Sequence, residues 1–185
     1  RQMPAEAEKF RSVDLLWRST ITALEENPSV LDSTEIEGLV TQFQAASKSL
    51  DEIQKQLNDY LETKRLYFPR FFFLSNEELL SILSETKDPT RVQPHMGKAF
   101  EAIAKVRFDT NNDIIEAMVS SEGEIVEFFH TVNVNSPENK GNVEKWLLEV
   151  EKSMQHCLRS ITDSCVEDYL VTPRTEWVGN WPGQV

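Results

Sequence analysis

The chain has 185 residues, of which 39% are hydrophobic and 27% are charged, and its formal net charge at pH 7 is −12. This length suits one domain or two small ones. An acidic chain is not expected to bind nucleic acid, which attracts basic surfaces. No apolar run approaches the ~20 residues that a membrane-spanning helix needs, so the sequence predicts no membrane partner.

The first predicted element is a helix over residues 5–26. Pro4 suits the first helical position, and Asn27-Pro28 ends the pattern. Its apolar residues recur at the helical period and form one stripe, which indicates a helix that packs along one face. The stripe consists of Phe10, Val13, Trp17, Ile21 and Leu24.

The longest predicted element is a helix over about residues 33–65, with Asp32 as its cap and Glu35 at the capping-box position. Its apolar residues alternate at spacings of three and four, which is a heptad seam. The seam favours packing inside one bundle, with a coiled-coil dimer as the alternative. At ~1.5 Å per residue the helix is a rod of about 50 Å, which predicts an elongated architecture. The seam residues are Ile36, Leu39, Phe43, Ala46, Leu50, Ile53, Leu57 and Tyr60.

An aromatic stretch follows, with five aromatic residues in the seven positions from Tyr67 to Phe73. Such a density predicts a core-forming turn between two helices, with an exposed aromatic docking patch as the alternative. Ser75 caps the next short helix and Glu78 completes its capping box. The predicted core aromatics are Phe68, Phe71, Phe72 and Phe73.

Two prolines, Pro89 and Pro94, break the chain next, and each can begin a short helical piece. The second piece is predicted to bury Met96, Phe100 and Ile103. The region from Lys64 to Arg107 carries eight basic and five acidic residues. We interpret these charges as solvated, with an acidic partner as the alternative.

The periodicity then changes to that of short strands. β-forming residues alternate or cluster in three short segments, and turn residues separate these segments. The segments are residues 105–108, 114–119 and 125–129. We predict a small antiparallel meander, with a helix over residues 112–119 as the alternative. A three-stranded unit of this size needs a helix to cover its apolar face.

The last predicted helix starts at Ser136-Pro137 or Gly141-Asn142, after a polar loop, and ends at Thr172-Pro173. In the tail beyond it, Trp177 and Trp181 either pack back on this chain or dock on another part of a longer protein. The predicted buried face of the helix is Val143, Trp146, Leu147, Val150, Met154, Leu158, Ile161, Cys165 and Tyr169.

No catalytic or cofactor motif is present in the sequence. The glycines do not match the spacing of a phosphate-binding loop, and the three histidines are scattered, so neither a nucleotide nor a metal site is expected. Cys157 and Cys165 lie eight positions apart on a predicted helix, ~12 Å, which is too far for a disulfide. We therefore expect two free, buried thiols. Because the sequence contains no catalytic motif, we do not expect this chain to be an enzyme.

These elements predict a mainly α fold, an elongated helical bundle or rod with a small antiparallel β meander inserted. Residues 1–66 form a long-helix segment and residues 67–103 hold the aromatic turn and short helices. Residues 104–132 form the meander, and residues 133–185 form the C-terminal helix and its tryptophan-rich tail. The start at Arg1 and the end at Val185 indicate a piece of something longer.

Several motifs in the same order resemble the linker region of dynein heavy chains. They are FPRFFFLSNEELLSIL at residues 68–83, then TKDPTRVQPH, SSEGE at 120–124, VEKWLLEVEKSM at 143–154 and WVGNWPGQV at the end. The resemblance covers roughly residues 60–185, and its style is more like axonemal than cytoplasmic heavy chains.

The resemblance implies a mechanical role. In that family the linker is a bent helical rod across a ring of AAA+ modules, and its movement is the power stroke. The expected partners are that ring and other dynein subunits, with microtubules reached only through the parent protein. ATP and Mg²⁺ would belong to the ring, and the expected location is cytoskeletal, in the axoneme of a cilium or flagellum.

Three further expectations concern residues of this chain. Trp177 and Trp181 are candidates for docking on the ring, and Pro89 and Pro94 mark a candidate hinge. The alternative to the linker function is a stand-alone helical scaffold or coiled-coil adaptor, with the heptad seam as its binding face.

Overall fold

The computed structural model describes residues 3–26, 28–84 and 88–184. Arg1, Asn27, Thr86, Lys87 and Val185, which entered the predictions above, lie outside these residues. The chain divides into two compact units, Arg1–Thr63 and Lys64–Val185. Across the described part of the chain, no helix is long and apolar enough to cross a membrane.

The first unit contains two long helices and a short one. Helix α1 is Pro4–Glu26, as predicted, α2 is Val30–Thr34, and α3 is Leu39–Tyr67, whose last four residues belong to the second unit. The prediction of one helix from residue 33 to 65 is wrong at its start. Gly38 has φ +76°, a conformation that interrupts a right-handed helix.

Asp32 is not the helix cap that the sequence predicted. The Ser29 side chain caps α2 instead, and its hydroxyl oxygen accepts a hydrogen bond from the backbone N–H of Asp32 at 3.4 Å. Asp32 therefore lies in the first turn of a short helix that ends before Glu35, rather than at the start of the long one.

Helices α1 and α3 pack antiparallel within the first unit. Lys9 Nζ lies 3.0 Å from Glu52 Oε2, and the ring centroids of Trp17 and Phe43 are 6.3 Å apart, so rising numbers on α1 meet falling numbers on α3. The seam residue Phe43 therefore packs against another helix of the same chain. The stripe on α1 is nevertheless open, since Phe10 and Trp17 are 53% and 57% exposed.

The second unit opens with the aromatic turn. A 3-10 helix, Pro69–Phe73, leads to α4, Asn76–Ser84, and a second 3-10 helix, Pro89–His95, leads to α5, Met96–Phe100. The predicted capping box is confirmed. The Ser75 N–H donates to Glu78 Oε2 at 3.0 Å, and the Glu78 N–H donates to Ser75 Oγ at 3.2 Å.

The predicted meander is present as an antiparallel sheet in the order β1-β2-β3. The strands are β1 Lys105–Phe108, β2 Ile114–Val119 and β3 Ile125–Asn133. Because β2 is extended, the helical alternative for residues 112–119 is wrong. Ile115 pairs with Val132 and Ala117 with Glu127, so residues 128–131 of β3 bulge opposite Glu116.

Helix α6, Val143–Tyr169, covers the sheet and is followed by α7, Arg174–Asn180. Of the two predicted starts, the structure has the one at Gly141-Asn142. Backbone groups of the β3 bulge bond to α6, as Phe129 N–H donates to Cys157 Sγ at 3.3 Å and Ser153 Oγ donates to the His130 carbonyl at 2.9 Å.

The buried face of α6 reaches Cys165 but is less continuous than predicted. Trp146, Leu147 and Val150 are buried, but Leu158 is 43% exposed and Tyr169 is 50% exposed. The hydrogen bonds from β3 reach α6 at Ser153 and Cys157, which are both buried. Cys157 and Cys165 are buried and free, as expected.

Candidate functional site

The aromatic turn contributes two rings to the core of the second unit. Phe68 and Phe71 are fully buried, and their ring centroids lie 5.0 Å apart in an edge-to-face arrangement. The Phe100 ring of α5 lies 5.9 Å from that of Phe68. These rings tie the end of α3 to the short helices that follow it.

Phe72 and Phe73 are 56% and 70% exposed, so the prediction that they belong to the core is wrong. The reason is the 3-10 geometry, which has three residues per turn and sends consecutive side chains in three directions. Phe71 takes the inward direction, and the next two rings point elsewhere. The exposed patch that the sequence offered as an alternative therefore exists in part.

Two arginines fasten the turn to its neighbours. The Arg65 guanidinium donates to the Leu74 carbonyl at 3.0 Å. Arg70 donates to the Ala99 carbonyl at 3.1 Å and to Glu151 of α6 at 2.9 Å, and its guanidinium lies 4.9 Å from the centre of the Phe100 ring. The expectation that this basic region is simply solvated is wrong for these residues.

Lys64 and Glu144 form a buried ion pair at 2.5 Å, with side chains 14% and 6% exposed. Lys64 lies in the last turn of α3 and Glu144 in the first turn of α6. Removing one partner of a buried ion pair strongly destabilises the fold, because the other charge is then buried without its counter-charge. The pair therefore fixes where these two helix ends meet.

The region proposed as a hinge is bonded to the sheet. The Gln93 amide donates to the Val106 carbonyl at 2.6 Å and accepts from the Val106 N–H at 3.0 Å, so it occupies the outer edge of β1. Pro89 begins the 3-10 helix and Pro94 lies inside it. The hinge remains a prediction, and any bending there must accommodate the Gln93 bonds.

The tail folds back on α6. Of its two predicted placements, the structure therefore has packing on this chain. The Trp177 indole N–H donates to the Cys165 carbonyl at 2.9 Å, and its ring packs edge-on against Tyr169 with centroids 5.0 Å apart. The Trp181 indole N–H donates to Asp168 Oδ2 at 2.7 Å. Thr172 Oγ1 donates to Asp168 Oδ1 at 2.5 Å.

We call this arrangement the tryptophan latch, made of Asp168, Thr172, Trp177 and Trp181. Hydrogen bonds from Thr172 and then from Trp181 lower the pKa of the Asp168 carboxyl below its usual value. The carboxylate is therefore ionised at neutral pH and holds two donors at once. Both tryptophans remain partly accessible at the surface of the unit.

The histidines meet more closely than the sequence indicated. His130 of β3 stacks on His156 of α6 with ring centroids 5.3 Å apart, and Phe129 packs edge-on against His156. A metal site needs more ligands than this pair. Among the residues that the structure describes, no group of three or more His, Cys, Asp or Glu side chains is arranged to hold a metal ion.

Sequence reasoning missed the residues that bond across elements. Lys64 and Asp168 lie outside the motifs, and the motifs that contain Gln93 and Glu144 did not indicate their bonds. The partners of these four residues lie 4 to 80 positions away in the chain. One signal was available for Glu144, because it lies three positions before Leu147 on the predicted buried face of α6.

Comparison with known proteins agrees with the resemblance drawn from the motifs. Residues 1–165 match the family described as dynein heavy chain, N-terminal region 2. The chain is 49% identical over 184 residues to dynein axonemal heavy chain 3 of Mus musculus, and 50% identical over 188 residues to dynein axonemal heavy chain 12 of Rattus norvegicus. It is 44% identical over 185 residues to dynein axonemal heavy chain 1 of Mus musculus.

Each alignment includes the whole of this chain but little of the relative. The chain spans 4% of heavy chains 3 and 1 and 6% of heavy chain 12. The similarity extends over both units, including residues 1–60, for which the sequence motifs gave only a helical pattern.

Proposed function

Because this chain belongs to the dynein heavy chains, in their N-terminal region 2, we propose that it is a mechanical segment of the linker. In this role it passes movement between the ATP-driven ring and the rest of the motor, and it has no catalysis of its own. Its similarity to axonemal heavy chains 3, 12 and 1 supports an axonemal location and assembly with other dynein subunits.

The observation that carries the proposal is the fixed junction between α3 and α6. A lever must transmit force without yielding, so its long helices must be held at defined points. The buried Lys64–Glu144 pair, the Arg70–Glu151 pair and the Phe68–Phe71 contact hold the end of α3 within the second unit. Helix α3 has 29 residues, about 43 Å at ~1.5 Å each.

The cofactor and partner assignments follow from the same role. ATP and Mg²⁺ are proposed to act in the ring of the same heavy chain, and this segment is proposed to bind neither. Contact with microtubules belongs to the parent protein. Within this segment, the partly accessible Trp177 and Trp181 are the residues that we propose for docking on the ring.

The test uses a heavy chain that carries Trp181→Ala. The proposal expects microtubule gliding to slow more than ATP turnover, because coupling loosens while the chemistry in the ring remains. Val178→Ala on α7, the short helix that ends directly before Trp181, is the matched control; Val178 is 43% exposed, and its replacement is expected to change neither rate. Equal losses in gliding and turnover, or no loss in either, contradict the docking role.

A further inference from the structure

Two sites in the chain have a hydroxyl residue directly before proline, Ser136-Pro137 and Thr172-Pro173. Proline-directed protein kinases require this order, since the proline holds the peptide extended behind the hydroxyl. Pro173 has φ −55° and ψ 137°, which is an extended conformation. Thr172 is itself half-buried, and it follows Leu170 and Val171, which are 81% and 82% exposed, so the site lies on an exposed turn.

The Thr172 hydroxyl is part of the tryptophan latch. It donates to one oxygen of Asp168 while the Trp181 indole donates to the other. The Thr172 backbone N–H also donates to the Asp168 carbonyl at 2.9 Å. The carboxylate is thus the shared acceptor that connects the Thr172-Pro173 turn to the tail.

We propose that Thr172 is a phosphorylation site for a proline-directed protein kinase, and that its phosphate releases Trp181 from Asp168. In the reaction Thr172 Oγ1 attacks the γ-phosphorus of ATP, and the bond from that phosphorus to the bridging oxygen breaks. ADP leaves, and the hydroxyl proton passes to a base of the kinase. This inference does not depend on the proposed docking on the ring.

Phosphorylation at Thr172 acts on the latch in two ways. The hydroxyl loses the proton that it donates to Asp168 Oδ1, and the new group carries about −1.5 to −2 charges beside a carboxylate. Phosphorylation removes the Thr172 hydrogen bond that lowers the pKa of Asp168, but the usual aspartate pKa of ~3.9 still lies well below neutral pH, so the carboxylate stays ionised and the phosphate repels it. The Asp168 side chain must turn away, and Trp181 then loses its acceptor.

Ser136 is a matched control within the same chain. Its hydroxyl oxygen accepts from the Asn139 N–H at 3.3 Å, so a phosphate there keeps an acceptor in place. Among the described residues, no hydrogen bond is seen from the Ser136 hydroxyl to a carboxylate. A phosphate on Ser136 is therefore expected to leave the latch closed.

The experiment incubates the 185-residue chain with ATP and a purified proline-directed kinase. Ser136→Ala leaves only the Thr172 site, and Thr172→Val leaves only the Ser136 site. Mass spectrometry locates the phosphate. Acrylamide quenching of tryptophan fluorescence follows the latch, and the same chain with Trp181→Phe identifies the part of the signal that belongs to Trp181.

We expect one phosphate on Thr172 in the Ser136→Ala chain, with a rise in quenching that is absent when Trp181→Phe is added. Phosphate on Ser136 in the Thr172→Val chain is expected to leave quenching at its value before the reaction. Absence of phosphate on Thr172 overturns the proposal, as does phosphate without a change in the Trp181 signal. Loss of the helical circular dichroism signal on phosphorylation also overturns it, because the release would then not be local.

Discussion

The two units differ in how completely they bury their apolar residues. In the second unit, Phe68, Phe71 and Val150 are fully buried, because a sheet, a long helix and several short helices enclose them. In the first unit, Phe10 and Trp17 remain more than half exposed, although they lie on the apolar stripe of α1. A pair of helices covers each stripe from one side only, so periodicity alone does not produce a core.

The same difference appears in the ion pairs. Lys64 and Glu144 meet with side chains 14% and 6% exposed, whereas Lys9 and Glu52 meet with side chains 43% and 49% exposed. Charges that water still reaches contribute little to stability, and charges buried as a pair depend on one another. We therefore expect the stability of the second unit to depend on its ion pair, and the first unit to tolerate substitution in its own pair.

The largest expected effect compares one residue type in the two units. Phe71→Ala should lower the free energy of unfolding by about 4 kcal/mol, since it removes a buried ring and leaves a cavity. Phe10→Ala, at a 53% exposed position, should lower it by less than about 1 kcal/mol. Urea unfolding of the chain, followed by circular dichroism, measures both, and equal losses would break the comparison between the units.

The second comparison removes one lysine from each ion pair. Lys64→Met should cost about 3 kcal/mol, because Glu144 is then buried without its cation. Lys9→Met should leave the urea midpoint within experimental error, since Glu52 stays hydrated. The account is contradicted at this point if both variants unfold at the midpoint of the unchanged chain.

Two glycine substitutions should act in opposite directions. Gly38→Ala should destabilise the first unit by about 1 to 2 kcal/mol, because φ +76° is unfavourable for a residue with a Cβ atom. Gly179→Ala, within α7 and with open space around its Cβ position, should stabilise by up to about 1 kcal/mol. Thermal unfolding of both variants measures the sign, and a stabilising Gly38→Ala would show that the break between α2 and α3 is not fixed by this residue.

The smallest expected effect is local to the tryptophan latch. The folded-state pKa of Asp168 is lowered, so its contribution is present above the usual aspartate pKa of ~3.9 and is lost as the pH falls through the lowered value. The Trp181 part of the fluorescence should therefore stay constant from pH 7 to about pH 4 and change only below it. In the Asp168→Asn chain that acid-induced change should be absent.

Much of the fold could be predicted from local patterns. The three strands, the capping box at Ser75, the start of α1 at Pro4 and the end of α6 before Pro173 each depend on residues close together in sequence. The error at the start of α3 came from Gly38. Glycine adopts positive and negative φ about equally readily, so the sequence does not show which one it has.

The candidate site was less predictable because its contacts join distant residues. The density of aromatics indicated a core at the turn, but only the 3-10 geometry decides that Phe71 points inward and Phe73 outward. Trp181 was found from its residue type, whereas its acceptor Asp168 was one of many acidic residues on a helix. Pairing of that kind is decided by tertiary structure.

The most direct test of the proposed linker role measures binding of this chain to a dynein ring from which the matching segment has been removed. Circular dichroism first establishes that the isolated chain is folded. Binding is then measured with an ATP analogue and with ADP. The account predicts that affinity changes with the nucleotide and falls when Trp181 is replaced by alanine. Absence of binding by the folded chain in both nucleotide states would contradict docking by this segment.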